Sequence, residues 1–474
     1  MTKVLKKNST EKNRQLYLDI SFGGMILFSI FRIPLTNIIG NEGNGYLAFA
    51  LEGYAVFSLL FGYAVYQVTL KMVRIRNRKH LLQACSHVFA FCMIICFILS
   101  VIGAGILFFG ASRNISCFPI LTGISFKFLS VLLIIVSMNG VLRGYFEGVG
   151  TFIPTSFSKI VEAFVAGTGA LIFTSSLREY GTKVGALLIN EQYKPAFGAT
   201  GILLGCICGS FFSLLFLLVV KKMYSYAQHK NTVNEDKKFS LKECVVEFFK
   251  VFIIVLLELI FFKSYRLLNI LIFSDIYTKT IEGENKLISI IGAYHGKIIV
   301  IITILCLLIL SFTGKNIGKI RKSYMKRLPD RSWNYLNDDL RKIVIVTLSV
   351  CSLVYICAKN ILNLLYQTAS TTETLYLKVG SFNIILVTIS IYLYKILRKL
   401  EFNKSLIIIP LIAFVGQSFV MYTMVKMDNL RSLSFVIAEV VFWCIVSVME
   451  YIVIVNALKP ELFRLNNHLK KERV

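Results

Sequence analysis

Ionisable side chains recur inside long apolar runs of this 474-residue chain. The stretch IFRIPLTNIIGNEGNGYLAFALEGY places Arg32 in one apolar run and Glu52 in the next, with a tight Gly/Asn/Glu loop between them. Arg32 lies eight residues before Gly40 and Glu52 lies eight residues after Asn44, so each is about 12 Å along its helix from the loop. Their equal depth on neighbouring helices makes an ion pair between them geometrically reasonable.

Other apolar runs carry ionisable residues at comparable depth. Lys127 and Glu162 each lie ten residues into consecutive runs, which matches them near mid-membrane. Glu258, Lys263 and Arg266 fall within about 140° of one another around a helix and form one charged face. The remaining deep candidates are His295, Lys297, Lys359 and Glu439.

Charges at this depth are costly and face either protein or water. Each single pair is equally consistent with a structural bridge that holds two helices in register and with a substrate pathway. Glu258, Lys263 and Arg266 are more charges than one helix needs to keep its register. Their presence on one face favours a water-filled cavity between the two halves of the chain.

The composition predicts a polytopic membrane protein, because 56% of the residues are hydrophobic, 16% are charged and the mean hydropathy is +0.70. Runs of about 20 apolar residues can cross the hydrocarbon core as helices. The twelve predicted spans are 16-39, 45-70, 82-109, 117-140, 152-176, 198-220, 246-274, 286-313, 341-367, 375-397, 405-425 and 431-456.

The net charge of +26 follows the membrane topology. Of the 52 Lys and Arg residues, 35 fall in the termini and loops of one side, 8 on the opposite side and 9 within the spans. The positive-inside rule therefore predicts that both termini are cytoplasmic, with anionic membrane lipids as partners of the basic face. Nucleic acid is excluded as a partner, because the basic residues are spread over seven short segments.

The polar linker 221-245 divides the predicted spans into six on either side, the layout of a parallel repeat. The predicted domains are therefore an N-terminal six-helix lobe (1-220), a cytoplasmic linker (221-245) and a C-terminal six-helix lobe with a basic tail (246-474).

No catalytic pattern is found along the chain, so we predict that the protein is not an enzyme. The five histidines form no HExxH, and GAYHGK at 292-297 lacks the spacing and the Ser/Thr of a phosphate loop. Nearly all of the eleven cysteines lie within spans and show no metal-ligand spacing. The sequence therefore predicts no metal site and no cofactor.

Three segments carry a family resemblance, which covers about residues 15-220. RIPLTNIIGNEGNGYL at 32-47, RGYFEGVGTFIPTSFSKIVEAF at 143-164 and the glycine-rich opening of the sixth span resemble stage V sporulation protein B-like and lipid II flippase-like transporters. These are members of the multidrug/oligosaccharidyl-lipid/polysaccharide (MOP) exporter superfamily, whose fold is MATE-like. In the second half, few of the prolines expected near the cavity are present.

The resemblance implies a bacterial cytoplasmic-membrane transporter that flips a polyprenyl-diphosphate-linked saccharide by alternating access. Arg32 matches the arginine of the R-I-P-L-T motif and would bind phosphate oxygens in the cavity, with Glu52 holding it when substrate is absent. One alternative is a cation-coupled multidrug exporter of the same fold. Another is a non-transporting scaffold that binds envelope-synthesis enzymes through its basic face, notably residues 320-342.

Overall fold

The computed structural model of the chain describes residues 2–78, 82–110, 119, 121–229, 241–280, 283–367 and 369–459. Within these ranges the chain forms helices joined by short turns, and no β-strand occurs there. The predicted all-α polytopic fold is confirmed.

The described residues up to Thr280 form seven α-helices. They are α1 (Thr2–Ser58), α2 (Ala64–Arg78), α3 (Leu82–Gly110), α4 (Thr122–Val149), α5 (Ile153–Leu188), α6 (Tyr193–His229) and α7 (Leu241–Thr280). A π-helical turn, Leu59–Tyr63, joins α1 to α2 without a loop.

Eight further α-helices follow in the described residues after Gly283. They are α8 (Glu284–Ala293), α9 (Ile299–Phe312), α10 (Ile317–Met325), α11 (Pro329–Tyr366), α12 (Thr371–Gly380), α13 (Phe382–Leu400), α14 (Asn403–Lys426) and α15 (Ser434–Leu458). A second π-helical turn, Tyr294–Ile298, connects α8 to α9 without a loop.

Every predicted span corresponds to a helix in the described ranges. Ten helical stretches there are long and apolar enough to cross a membrane, and the first of them, Gly23–Asn77, contains two predicted spans separated by a break at Gly40. α7 corresponds to the seventh span and is absent from the ten, since Glu258, Lys263 and Arg266 interrupt its apolar stretch. Counting both, the structure agrees with twelve spans.

Several helices extend beyond the predicted spans. The predicted outer loop 177-197 is mostly helical, because α5 continues to Leu188 and α6 begins at Tyr193. The ring of Tyr180 contacts that of Phe197, with centroids 5.3 Å apart, and Gly181 lies directly against the Tyr193 backbone. These contacts stabilise helix outside the apolar segment, where hydropathy gives no signal.

Contacts group the chain into two compact units. The first comprises Met1–Leu267 and Glu282–Gly296, and the second comprises Leu268–Ile281 and Lys297–Val474. The core of the first unit is a cluster of fully buried apolar side chains from α2, α3, α4, α6 and the start of α7, including Val68, Phe146 and Phe248. The lobe boundary at 221-245 stays a prediction, and residues 230–240 lie outside the described residues.

Candidate substrate site

The backbone of α1, the helix that carries Arg32, has a break at Gly40. Pro34 lies within α1, and Gly40 adopts φ 70°, ψ −173°, a conformation that is open to glycine and strained for other residues. The carbonyl of Gly40 accepts a hydrogen bond from Asn44 Nδ2 at 2.8 Å. Arg32 is half-buried two turns before this break and lies within electrostatic range of Cys206 on α6.

The residues around the break pack closely against α8 within the first unit. A Cβ at Gly45 would overlap the backbone of Ile288, and one at Gly292 would overlap the carbonyl of Asn41. The hydroxyl of Thr36 donates to the carbonyl of Gly296 at 3.2 Å. Gly45 and Gly292 therefore let the backbones of α1 and α8 come into direct contact.

Glu52 lies against the second π-helical turn. Its Oε1 is 3.4 Å from Nδ1 of His295, and both side chains are largely buried. Lys263 on α7 lies within electrostatic range of Glu52 and of Arg266. The first unit therefore brings Glu52, His295, Lys263 and Arg266 into one cluster, which we call the α1–α7 charge cluster.

The α7 residues of the predicted charged face differ in exposure. Glu258 is buried, Arg266 is half-buried and part of the Lys263 side chain is exposed. The guanidinium carbon of Arg266 lies 5.5 Å from the centroid of the Tyr265 ring. Two neighbouring cations on one helix are an arrangement that attracts an anion.

Glu162 belongs to a second polar network, built by α4, α5 and α6. Arg143 Nη2 donates to Glu162 Oε2 at 2.5 Å and to Ser213 Oγ at 2.9 Å, and Arg143 Nε donates to Ser158 Oγ at 3.0 Å. Ser210 Oγ donates to the other oxygen, Glu162 Oε1, at 2.6 Å. We call this set the Arg143 network.

The glycine-rich opening of α6 makes the Arg143 network possible. Gly201, Gly205 and Gly209 recur every four residues, and a Cβ at each would overlap the α5 backbone. Such a close approach is typical of small residues at helix–helix contacts in membrane proteins. It also brings the hydroxyl groups of α6 within reach of Glu162.

Lys127, the residue matched in depth with Glu162, is exposed on α4. Its ammonium lies 5.8 Å from the centroid of the Phe108 ring. The structure thus brings Glu162 together with Arg143, which the sequence assigns to a cytoplasmic turn at 141-151. Arg143 lies instead within α4, which continues to Val149.

Lys297 forms a buried ion pair within the second unit. Its Nζ lies 2.7 Å from Glu373 Oε1, and the two side chains are only 6% and 5% exposed. Glu373 belongs to the first turn of α12, where its backbone N–H donates to the Ser370 hydroxyl. The Tyr366 hydroxyl donates to the carbonyl of Lys297 at 3.3 Å.

The other deep candidates of the second unit do not share one environment. Lys359 on α11 is exposed, whereas Glu439 on α15 is buried. Glu450, also on α15, is buried and accepts a hydrogen bond from Ser390 on α13 at 3.0 Å. Sequence reasoning missed Glu450, although it lies in an apolar run as the predicted deep residues do.

The candidate site residues could bind a ligand through hydrogen bonds and charge. Among the described residues, no group of three or more His, Cys, Asp or Glu side chains could hold a metal ion. The Arg143 network and the Lys297–Glu373 pair are closely bonded within the protein. Arg32 and the α1–α7 charge cluster contribute further deep charges of the first unit.

Comparisons with known proteins identify the fold. No family model matches the chain, and a search of curated proteins gave no match. Among solved structures, the chain is similar to an inward-facing multidrug resistance MATE family transporter of the MOP superfamily, with a TM-score of 0.67 at 13% identity, covering 92% of this chain and 95% of that chain.

Two further structures have the same fold. A MOP superfamily transporter from Pyrococcus furiosus, whose binding pocket is described as having reverse polarity, gives a TM-score of 0.60 at 15% identity over 94% of this chain and 95% of that chain. A eukaryotic MATE transporter gives a TM-score of 0.60 at 13% identity over 97% of this chain and 99% of that chain. The predicted MATE-like fold is confirmed.

Proposed function

We propose that the protein is a membrane transporter that flips a polyprenyl-diphosphate-linked saccharide across the bacterial cytoplasmic membrane by alternating access. The MATE-like fold supports transport of this kind. The choice of an anionic lipid headgroup rests on the charges of the first unit. Under this proposal both chain termini are cytoplasmic.

The observation that carries the proposal is the proximity of two cations, Lys263 and Arg266, on α7. These residues are three positions apart on one helix, where like charges repel. Glu52 lies within electrostatic range of Lys263 and offsets part of this charge. A diphosphate would neutralise both cations and would accept hydrogen bonds from their nitrogens.

Arg32 supplies a further cation within the first unit. Its planar guanidinium matches phosphate oxygens two at a time. The helix break at Gly40 and the close α1–α8 packing hold the α1 backbone in one conformation. Arg32 would therefore meet the headgroup from a backbone that is already held in place.

The lipid that co-purifies with the protein tests this proposal. We expect mass spectrometry of the extract to detect a polyprenyl diphosphate carrying sugar with the wild type. Lys263→Gln/Arg266→Gln should lower its amount about tenfold, because it removes both headgroup cations. The matched control, Lys183→Gln/Lys426→Gln, removes two exposed lysines from other helices and should retain the lipid. Equal amounts in all three proteins would contradict the proposal.

A cation-coupled multidrug exporter is the second candidate function. The similarity to multidrug resistance MATE transporters favours it, and Glu52 and Glu258 are acidic groups that could bind a cation. Sensitivity of cells to cationic dyes separates the two functions. Loss of an exporter should sensitise cells to these dyes, whereas loss of the proposed flippase should cause a lipid-linked precursor to accumulate.

A further inference from the structure

A basic surface with exposed apolar side chains surrounds α10 in the second unit. Residues 314–342 contain nine Lys or Arg and three Asp. The exposed cations of α10 and its C-terminal turn are Lys319, Arg321, Lys322, Lys326 and Arg327. We call this region, together with Phe312, Met325 and Leu328, the α10 surface.

The cations of the α10 surface are arranged on the helix. Lys319, Lys322 and Lys326 follow i, i+3, i+7 spacing, which stacks them along one side. Ile320 and Ser323 are buried on another side. α10 therefore packs against its own unit through Ile320 and Ser323, while its lysines are exposed and Lys319 Nζ lies 5.5 Å from the centroid of the Tyr335 ring.

Apolar side chains lie beside these cations. Phe312, at the end of α9, is 74% exposed, and Met325 is 71% exposed. Trp333, one of two tryptophans in the chain, is half-buried at the start of α11. Lysines next to exposed apolar groups and an aromatic ring are typical of a helix that lies in the headgroup region of a membrane.

A buried carboxylate holds the start of α10 in place. Asp339 on α11 accepts hydrogen bonds from the backbone N–H of Asn316 at 2.9 Å and from Asn316 Nδ2 at 2.8 Å. The Tyr392 hydroxyl of α13 donates to the same carboxylate at 3.1 Å. The start of α10 is therefore bonded to one predicted spanning helix, α11, through a carboxylate that a second one, α13, also contacts.

We infer that the α10 surface is a binding site for the phosphate headgroups of anionic phospholipids. Charge complementarity favours this occupant, because residues 314–342 contain nine Lys or Arg and only three Asp. Phe312 and Met325 would enter the acyl boundary while the lysines bind phosphate. The sequence predicts that this surface is cytoplasmic, where anionic lipids are concentrated. This inference does not depend on the transported substrate.

Lipid selectivity of the full-length protein tests the inference. The protein is equilibrated with equal amounts of phosphatidylglycerol and phosphatidylcholine, and the lipids it retains are counted by native mass spectrometry. Wild type should retain mainly phosphatidylglycerol, and Lys319→Gln/Lys322→Gln/Lys326→Gln should reduce this preference about tenfold. The matched control, Lys222→Gln/Lys242→Gln/Lys404→Gln, removes three other exposed lysines of the same predicted side and should keep it.

A second measurement reports insertion without removing any charge. A fluorophore on Met325→Cys, in a background lacking native cysteines, should be quenched by spin-labelled lipid in phosphatidylglycerol vesicles. The same fluorophore on Asn337→Cys, an exposed site in the next helix, should be quenched much less. Equal lipid preference in the two triple variants, or equal quenching at the two sites, would overturn the inference and leave α10 as a surface for a protein partner.

Discussion

Arg143 illustrates how a charge is accommodated inside a membrane helix. Its guanidinium is bonded to Glu162, Ser158 and Ser213, and the arginine and glutamate side chains are 14% and 24% exposed. Ser210 donates to the remaining carboxylate oxygen. Hydrogen bonds within the protein therefore replace the water that the Arg143 guanidinium and the Glu162 carboxylate would bind if they were exposed.

Removing one partner of this pair should be more harmful than removing both. We expect Arg143→Ala to lower the free energy of unfolding by about 3–5 kcal/mol, because it leaves the Glu162 carboxylate without its cation. Arg143→Met/Glu162→Leu should be closer to the wild type, since it leaves no unpaired charge. Thermal unfolding in lipid nanodiscs gives the comparison. A double variant less stable than Arg143→Ala would contradict this view of the pair.

Glu450 presents the opposite case, a buried carboxyl bonded to a hydroxyl group. In the described part of the chain, its only hydrogen-bonding partner is Ser390. We expect Glu450→Gln to preserve or raise the unfolding temperature at pH 8, by about 1–3 °C, because an amide keeps the acceptor and removes the cost of a buried charge. Glu401→Gln, an exposed control, should leave it unchanged. A clear loss of stability in Glu450→Gln alone would contradict this expectation.

The sequence could predict that Glu162 and Lys297 lie deep in apolar helices, and it could not predict their partners. Depth follows from counting residues along one helix, whereas a partner depends on how neighbouring helices rotate and extend. Glu162 bonds to Arg143, which the hydropathy pattern assigns to a turn. Lys297 bonds to Glu373, which the same pattern assigns to an outer loop at 368-374.

At the scale of elements, the contact between α1 and α8 is made by backbone rather than by long side chains. Gly45 packs on Ile288, and Gly292 packs on Asn41. Gly45 lies in RIPLTNIIGNEGNGYL, a segment that carries the resemblance, and Gly292 is the first residue of GAYHGK. Their role is to let two helices approach closely, a requirement that the sequence pattern alone did not reveal.

Substitution at this contact should be severely destabilising. Gly292→Val should lower stability by about 3 kcal/mol or more, because its side chain would overlap the carbonyl of Asn41 and force the helices apart. Gly105→Val on α3 is the matched control, since a Cβ there meets no atom within 4 Å. Thermal unfolding and expression level measure the difference. Similar behaviour of the two variants would show that α8 does not pack on α1 in this way.

Helix number was predictable from the sequence, and helix ends were less so. Apolar runs of span length are a strong signal, and all twelve have a helix in the structure. α5 continues to Leu188 because Tyr180 and Gly181 pack on the start of α6. Such contacts lie outside the apolar run, so hydropathy ends the predicted helix too early.

At the scale of the whole molecule, the charge asymmetry predicts the orientation in the membrane. Reversal would carry 35 basic residues outward in place of 8, against a potential worth about 2.3 kcal/mol per charge per 100 mV. In a background lacking native cysteines, Thr371→Cys should react with an impermeant thiol reagent in intact cells. Asn337→Cys should react only after lysis. Both positions are exposed, so the opposite pattern would reverse the predicted topology.

Transport in reconstituted vesicles tests the proposed function most directly. Purified protein is placed in proteoliposomes with a fluorescent polyprenyl-diphosphate disaccharide, and a membrane-impermeant quencher reports the fraction in the outer leaflet over time. We expect the wild type to flip this lipid and Arg32→Ala to slow the flipping at least about tenfold, since it removes a headgroup cation. Lys183→Gln, an exposed control, should match the wild type. A wild-type protein no faster than empty vesicles, together with uptake of a cationic dye that Glu52→Gln abolishes, would contradict the flippase proposal in favour of a multidrug exporter.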